Sequence, residues 1–400
     1  MVSDITPPVE QHRPSGPVRG VDRHHVVDGL RGCALLGIVV VNVEFILQHS
    51  DIGWSEHTSA LDLAARWAII AFGQLKIYPI FALLFGYGLS VQLSRSASVS
   101  NGLGRRYARR MAGLVVLGAL HGILFFPGDI LLLYGVVGAA CYPLRRLSST
   151  ALLAIAATVY AAASAVWLTV AIALLVEPVQ LAGEVSATEL AAYASGNVGD
   201  VLAQHVGAWP ETAGFLFVVQ GPAVCAFFLI GVVLGRTDVL RNPRAHALRL
   251  RRVALTCATL GTAVAGIGAA LALFGGVAAP VGLAAGLVAA PVLACAYVAA
   301  LALLLSARKV RGSGLLRSSG RMSLSVYLAQ SVVLTTLAYG YGGGLFGHLG
   351  PVSGVVLAVC VWAALAGCSV LWLRYARFGP AEWALRSLSY ARVQPLRREH

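Results

Sequence analysis

Two ionisable residues stand close together in one of the most apolar parts of the chain. His121 precedes the pair Pro127-Gly128, and Asp129 follows that pair directly. Proline cannot continue a helix and glycine opens a tight turn, so the chain leaves one helix, turns and returns in a second. The imidazole and the carboxylate then face each other on the two arms of a hairpin. A histidine held by a carboxylate can act as a general base toward a hydroxyl or an amine, although a simple hydrogen bond across the bundle is the alternative.

The composition places this hairpin in a membrane. Of the 400 residues, 58% are hydrophobic and only 12% are charged, with a mean hydropathy of +0.77. Ionisable groups at membrane depth are costly and mark a site by default. The apolar runs predict an all-α fold, a polytopic transmembrane helical bundle of about ten spans. The spans are expected at roughly 28–48, 64–93, 109–126, 129–143, 150–176, 213–235, 253–275, 280–305, 322–340 and 352–374.

The distribution of charge predicts the orientation of these spans. Arginines gather in alternate connecting segments, whereas residues 177–212 contain five acidic residues and no lysine or arginine. The positive-inside rule therefore places both termini in the cytoplasm. The net charge of +13 is interpreted as topology and contact with lipid headgroups, not as binding of nucleic acid. The seven cysteines lie inside apolar runs without a CxxC pair, so they are expected to be buried apolar residues that form neither disulfides nor a metal site.

The same patterns divide the chain into three parts. These are a disordered cytoplasmic tail over 1–27, a transmembrane helical domain over 28–375 with an external loop at 177–212, and a cytoplasmic interfacial helix and tail over 376–400. The external loop could cap a cavity or serve as a plain connector. The interfacial helix, starting at Pro380, could anchor the chain, or its neighbourhood could hold a phosphorylated ligand through Arg374, Arg377 or Arg386.

The first span opens with a charged pair. Asp28 and Arg31 are one helical turn apart and can form an ion pair on one face. Alternatively, Arg31 faces a cytoplasmic vestibule and meets an anionic substrate. Asn42 and Glu44 lie deeper in the same span.

The second span contains Lys76, about 15 Å from its outer end at 1.5 Å per residue. An ammonium at this depth cannot easily reach the interface, so it is expected to pair with a carboxylate such as Glu44 or Asp129. That ion pair would either stabilise the packing of the helices or belong to a functional site. We also expect the span to be interrupted at Pro79.

The ninth span has a polar face. Ser323, Tyr327 and Gln330 share this face at three- and four-residue spacing, just after Arg321. They could line an access cavity or hold neighbouring helices together.

Several segments together resemble a known bacterial family. The segments are 28–42, 76–81, 84–88, 128–135 (with His121 before it), 320–331 and 378–383. They resemble the YeiB-like membrane proteins, domain-of-unknown-function family 418, and this resemblance implies a multi-pass protein of the bacterial plasma membrane.

The first span is also similar to that of a wider group of membrane acyltransferases, which includes the acyltransferase family three sugar O-acetylases and the heparan glucosaminide N-acetyltransferase. Those enzymes pass an acyl group from cytoplasmic acyl-CoA to an acceptor on the far side, so the resemblance implies the same activity here. One departure matters. In the family-three enzymes, an arginine on the first span is followed eleven residues later by a histidine, whereas here Asn42 follows Arg31 at that distance. The base must then come from elsewhere, with His121 as the first candidate and His57 as the second.

The sequence thus predicts an acyltransferase that uses acyl-CoA as its donor, needs no metal, and modifies a hydroxyl or amine acceptor in the cell envelope or on a membrane lipid. His121 would be the base, oriented by Asp129, while Lys76 or Asn42 would stabilise the oxyanion. The expected substrate-binding residues are Asp28, Arg31, Glu44, Tyr327, Gln330 and Arg321. Two alternatives remain open: a small-metabolite transporter with a relay through Glu44, Lys76, His121 and Asp129, weakened by the lack of an internal repeat, and a structural or signalling protein.

Overall fold

The computed structural model describes residues 25–47, 59–96, 102–177, 187–274, 276–307 and 312–397. Within these ranges the regular elements are helices joined by turns and short irregular segments, and the β-type pairing is an isolated bridge between Ala376 and Arg397. The all-α prediction is therefore confirmed. The helices are α1 (His25–Leu47), α2 (Ala60–Ala68), α3 (Tyr78–Ser96), α4 (Leu103–Leu124), α5 (Leu131–Cys141), α6 (Ser149–Val176), α7 (Ala187–Ser195), α8 (Val198–Val219), α9 (Gly221–Gly235), α10 (Ala247–Phe274), α11 (Ala279–Ser306), α12 (Ser313–Arg321), α13 (Ser323–Ala338), α14 (Pro351–Tyr375) and α15 (Pro380–Tyr390).

Each expected span overlaps one helix or two consecutive helices, but the count of ten is not confirmed. Six helical segments of the described chain are long and apolar enough to cross a membrane, or seven if the bent pair α8–α9 forms one span. The helix α5 has 11 residues, about 16 Å at 1.5 Å per residue, and is too short to cross. The helix α13, with 16 residues, is also short. The polytopic class is thus clear, while α5 and α13 are shorter than a full span.

The outward surface of the bundle is apolar, as a lipid environment requires. On α6, Val166, Leu168 and Ile172 are 60%, 41% and 51% exposed. A water-soluble protein rarely exposes a continuous apolar face of this kind. The expectation that all the cysteines are buried is wrong for Cys360 and Cys368, which are exposed because they lie on the outward side of α14.

The helix α1 lies inside the bundle and contacts α12, α14, α13, α11 and α3. Two glycines permit its close crossing with α12. A Cβ atom on Gly32 would overlap the Leu316 carbonyl, and a Cβ atom on Gly320 would overlap the Asp28 carbonyl. Small residues let helix backbones approach in this way. This crossing places the start of α1 beside the end of α12.

The second span is broken in its middle. After α2, Ile69–Gly73 form a π-helical turn, and Leu75 adopts a positive φ of 64° before α3 begins at Tyr78. A non-glycine residue in the left-handed region is strained. Pro79 lies in the first turn of α3, where a proline is tolerated. The interruption expected at Pro79 therefore comes just before it.

The termini and the external loop can be described only in part. Residues 25–27, expected to end the N-terminal tail, begin α1, and residues 1–24 lie outside the described ranges. The expected external loop, 177–212, contains α7 and most of α8, so much of it is helical; residues 178–186 lie outside the description. The helix expected after Gly379 is present as α15, and it packs on α4. We call the end of the bundle where α1 and α4 begin and α15 packs the arginine-rich end.

Candidate active site

The hairpin predicted from Pro127-Gly128 joins α4 to α5. The amide groups of Phe125 and Phe126 both donate to the His121 carbonyl, which closes the last turn of α4. The two helices can approach closely because residue 118 is a glycine. A Cβ atom at this position would collide with the Leu132 amide and the Asp129 carboxylate. The predicted turn is therefore present.

The turn brings His121 and Asp129 into contact. The His121 Nδ1 atom lies 2.8 Å from Asp129 Oδ1, and the side chains are only 2% and 1% exposed. The other carboxylate oxygen, Oδ2, accepts a hydrogen bond from the Leu132 amide at 3.0 Å, in the first turn of α5. Asp129 therefore stabilises a helix start with one oxygen and orients an imidazole with the other. This contact was expected from the sequence, and we call the two residues the dyad.

The contact with Asp129 determines which nitrogen of the His121 ring carries the proton. A carboxylate only accepts hydrogen bonds, so Nδ1 carries the proton and donates it toward Asp129. The neutral ring then keeps a lone pair on Nε2, which is buried without a hydrogen-bond partner among the described residues. A second residue shares the carboxylate, since the Tyr327 hydroxyl of α13 donates to Asp129 Oδ1 at 3.3 Å. The Tyr327 ring also lies 5.2 Å from the His121 ring, centroid to centroid. The arrangement is that of an oriented base.

Gln330 lies one turn beyond Tyr327 but faces another helix. Its amide group donates to the Leu35 carbonyl of α1 at 3.4 Å, and the residue is 3% exposed. The polar face was expected either to line an access cavity or to hold neighbouring helices together, and the contact of Gln330 supports the second interpretation. Tyr327 instead joins the dyad, a contact that spacing alone did not predict.

The prediction that Lys76 pairs with a carboxylate such as Glu44 or Asp129 is wrong. Lys76 is 1% exposed, and its Nζ donates to the Ile70 carbonyl at 2.9 Å. The break in the second span explains this contact. In the π-helical turn, the Gln74 amide donates to the Ile69 carbonyl instead of the Ile70 carbonyl, which leaves the latter for the ammonium.

Glu44 has partners of its own. Its carboxylate lies 3.3 Å from Arg66 Nε and accepts a hydrogen bond from the Gln74 amide group at 3.1 Å. Asn42, on the same helix, is partly buried. Among the described contacts, neither Glu44 nor Asn42 contacts the dyad. The structure therefore does not bring the residues expected to stabilise the oxyanion, Lys76 and Asn42, into contact with the base. The second base candidate, His57, lies outside the described residues.

The other predicted substrate-binding residues lie at the arginine-rich end. The ion pair expected between Asp28 and Arg31 is present at 3.4 Å. Arg321 closes α12, directly after Gly320, which packs on the Asp28 backbone. These three charged residues therefore share one end of the bundle, away from the α4–α5 turn.

Two buried or partly buried residues of α8, which packs on α4, belong to the surroundings of the hairpin. Trp209 lies in the segment that was expected to cap a cavity or to be a connector, and His205 was missed in the sequence. The Trp209 indole lies so close to Gly122 that a Cβ atom there would collide with it. His205 is 1% exposed and packs on the Tyr193 and Tyr339 rings at centroid distances of 5.8 and 5.9 Å. The signal was their four-residue spacing, which places both on one helix face. For His205 this signal was overlooked because the segment was assigned to an external loop.

A second missed residue is Glu382 of α15. Its carboxylate accepts hydrogen bonds from the Leu324 amide at 2.7 Å, the Ser325 amide at 3.3 Å and the Ser325 hydroxyl at 2.5 Å. It therefore caps the start of α13, the helix that carries Tyr327. Burial raises the pKa of this carboxyl above its ordinary value of 4.5, and the three hydrogen bonds oppose that rise.

The fold and the buried dyad define a class: a polytopic helical membrane protein with a histidine–aspartate pair inside its bundle. The chain belongs to the YeiB-like DUF418 family. The family model described as "Protein of unknown function (DUF418)" matches residues 234–392. The chain is 30% identical to the uncharacterized protein YxaH of Bacillus subtilis, over 94% of this chain and 96% of that one. It is 31% identical to the uncharacterized protein YeiB of Escherichia coli, over 94% and 98% respectively.

Proposed function

We propose that this protein is a membrane acyltransferase in which His121 is the general base. The observation that supports this best is the dyad, since Asp129 holds Nδ1 and leaves the Nε2 lone pair available. General base catalysis by such a group contributes about 10²–10⁴ in rate. Acyl transfer to a hydroxyl or an amine is a reaction that needs this base and no metal.

In the proposed reaction, Nε2 takes the proton of the acceptor hydroxyl or amine. The acceptor atom forms a bond to the carbonyl carbon of the acyl thioester, and the carbon–sulfur bond breaks. The thiolate of coenzyme A leaves and receives the proton from Nε2, which regenerates the neutral ring. Tyr327 supports this step through its hydrogen bond to Asp129. Because Lys76 and Asn42 stand apart from the dyad, the proposal rests on the base alone.

The proposed donor binds at the arginine-rich end, which we place in the cytoplasm on the positive-inside rule. Its phosphates meet Arg31, and its acyl group reaches the dyad through the bundle. Along α4 the dyad lies about 17 Å from Arg110, at 1.5 Å per residue. The extended pantetheine arm of acyl-CoA suits such a separation. The proposed acceptor, a hydroxyl or amine of the cell envelope or a lipid, approaches from the side covered by Trp209.

The test is labelling of membranes with radioactive acetyl-CoA. We expect His121→Gln to lower incorporation about a hundredfold or more, as loss of a general base does. His246→Gln is the matched control, because His246 pairs with Asp238 at 2.9 Å but on an exposed surface. Equal incorporation by the wild type and His121→Gln would overturn the proposal.

One observation favours a second candidate, a small-metabolite transporter. Transporters often bind solutes where a transmembrane helix is broken, and the second span is broken at Ile69–Gly73 beside the buried Lys76. The relay expected through Glu44 is not formed, since Glu44 pairs with Arg66. For a transporter, Lys76→Met would abolish solute uptake by proteoliposomes, and wild-type membranes would show no label from acetyl-CoA.

A further inference from the structure

Three arginines from three different helices converge at the arginine-rich end. The guanidinium of Arg110, on α4, lies over the Phe85 ring of α3 at 4.8 Å from its centroid. A Cβ atom on Gly88, one turn further along α3, would lie 4.0 Å from Nη2 of Arg31. Both cations therefore lie against neighbouring turns in the middle of α3.

The third arginine comes from the C-terminal helix. The α15 helix lies against α4, where a Cβ atom on Gly113 would contact Leu385 and Leu388. Arg386 follows Leu385, and its guanidinium lies 4.4 Å from the Phe378 ring centroid. The contact between the two helices is extended by Arg106, whose guanidinium lies over the Tyr390 ring.

These arginines act on one another through space. Among the described residues, the cations Arg386 and Arg31 and the phenols Tyr107 and Tyr390 lie close enough to Arg110 to act on it electrostatically. Two carboxylates described at this end are engaged elsewhere: Asp28 pairs with Arg31, and Glu382 accepts hydrogen bonds at the start of α13. Like charges held together repel, most strongly where burial lowers the local dielectric. The cluster therefore favours an anion.

We propose that Arg31, Arg110 and Arg386 form a binding site for a phosphate-bearing anion. Guanidinium groups bind phosphate oxygens through paired hydrogen bonds, and aromatic rings beneath them hold their planes in place. The site deepens the function proposed above, because it names the residues that hold the phosphates of the donor, and in that respect it rests on the proposed function.

The helix α4 connects this site to the dyad. Arg110 and His121 are eleven residues apart, close to three full turns of an α-helix, so they lie on the same face. Their separation along the axis is about 17 Å. An anion bound at the arginines therefore lies on the same face of α4 as the base.

The experiment uses the full-length protein in phosphatidylcholine nanodiscs, with inorganic pyrophosphate as the probe and calorimetry as the readout. We expect Arg110→Gln and Arg386→Gln each to weaken pyrophosphate binding about tenfold or more, the scale of a hydrogen bond to a charged group. Arg105→Gln is the matched control, since Arg105 lies on the same helix end but is exposed. Its dissociation constant should stay within about twofold of wild type, below the roughly 1.4 kcal/mol of a tenfold change.

A second arm distinguishes a soluble phosphate from a lipid headgroup. The protein is extracted from mixed phosphatidylcholine and phosphatidylglycerol membranes, and retained lipid is counted by native mass spectrometry. Retention of phosphatidylglycerol by the wild type and its loss in Arg386→Gln supports the site with a headgroup as its ligand. The inference is overturned if the wild type binds neither probe, or if Arg105→Gln weakens binding as much as the other variants. Should Arg110→Gln fail to fold, Arg386→Gln decides the test, because it changes a peripheral helix.

These outcomes are separable from the proposed acyl transfer. Pyrophosphate binding that depends on Arg110 and Arg386, in a protein that labels nothing from acetyl-CoA, leaves the anion site intact and removes the transferase. Labelling from acetyl-CoA that persists unchanged in Arg110→Gln and Arg386→Gln leaves the proposed transferase intact and removes the anion site.

Discussion

Replacing Asp129 with asparagine is the perturbation that probes the dyad most directly. The amide oxygen of asparagine can still accept from the Leu132 amide, so the start of α5 remains capped. The amide nitrogen, however, is a donor. If it faces the His121 ring, Nδ1 becomes the acceptor and the ring proton moves to Nε2. The variant would then keep the fold and lose the base.

The size of the effect follows from the contact that is lost. The same exchange in a serine–histidine–aspartate triad lowers the turnover rate about 10⁴-fold by imposing the wrong tautomer. With general base catalysis worth about 10²–10⁴, the expected loss is about 2.7–5.4 kcal/mol in activation free energy. The free energy of unfolding should fall less, by about 1.5–3 kcal/mol for the hydrogen bond to a charged group.

Two measurements follow the two consequences. Labelling from acetyl-CoA reports the rate, and the ¹⁵N shifts of the histidine side chain report which ring nitrogen carries the proton. Asp238→Asn is the control, because it alters the exposed pair with His246, whose contribution should be about 0–1 kcal/mol. If the ring of the Asp129→Asn protein stays protonated on Nδ1, or if transfer continues at the wild-type rate, the reasoning about the base is wrong.

Three further predictions concern the framework of the site. Gly118→Ala should cost about 1–3 kcal/mol in unfolding free energy because the added methyl group lies 2.6 Å from Asp129 Oδ2, and an unchanged melting temperature would contradict the close approach of α4 and α5. Lys76→Met should keep or raise the melting temperature, since it removes a buried charge that has no carboxylate partner among the described residues; a clear drop would show that the ammonium is needed to hold the break in the second span. Glu382 contributes stability below pH 4.5 that is lost as the pH rises through its raised pKa, so the melting temperature of wild type should fall across that window relative to Glu382→Gln, and parallel curves would refute this.

Much of the candidate site could be predicted from local patterns. A proline–glycine pair between two apolar runs is enough to fix a hairpin, and a hairpin brings its two arms together whatever surrounds it. The dyad was predictable for that reason. The pair of Asp28 and Arg31 followed in the same way from one-turn spacing.

Contacts between distant segments were not predictable from these patterns. The Ile70 carbonyl is available to Lys76 only because, in the π-helical turn, the Gln74 amide donates to the Ile69 carbonyl instead. No residue type in the sequence predicts that turn. Glu382 and Ser325 are 57 residues apart, so their contact depends on how α15 docks. The count of ten spans is not confirmed for a related reason: α5 is apolar throughout but has only 11 residues, and hydropathy alone does not distinguish such a helix from a full span.

The capping of α13 by Glu382 has a practical consequence for anyone shortening the chain. A truncation after Phe378 would remove the carboxylate from the Leu324 and Ser325 amides, at the start of the helix that presents Tyr327 to Asp129. Although α15 lies near the C-terminal end of the described chain, it is thus two contacts away from the imidazole. Fusion tags belong beyond residue 397, where the α15 helix and its carboxylate stay intact.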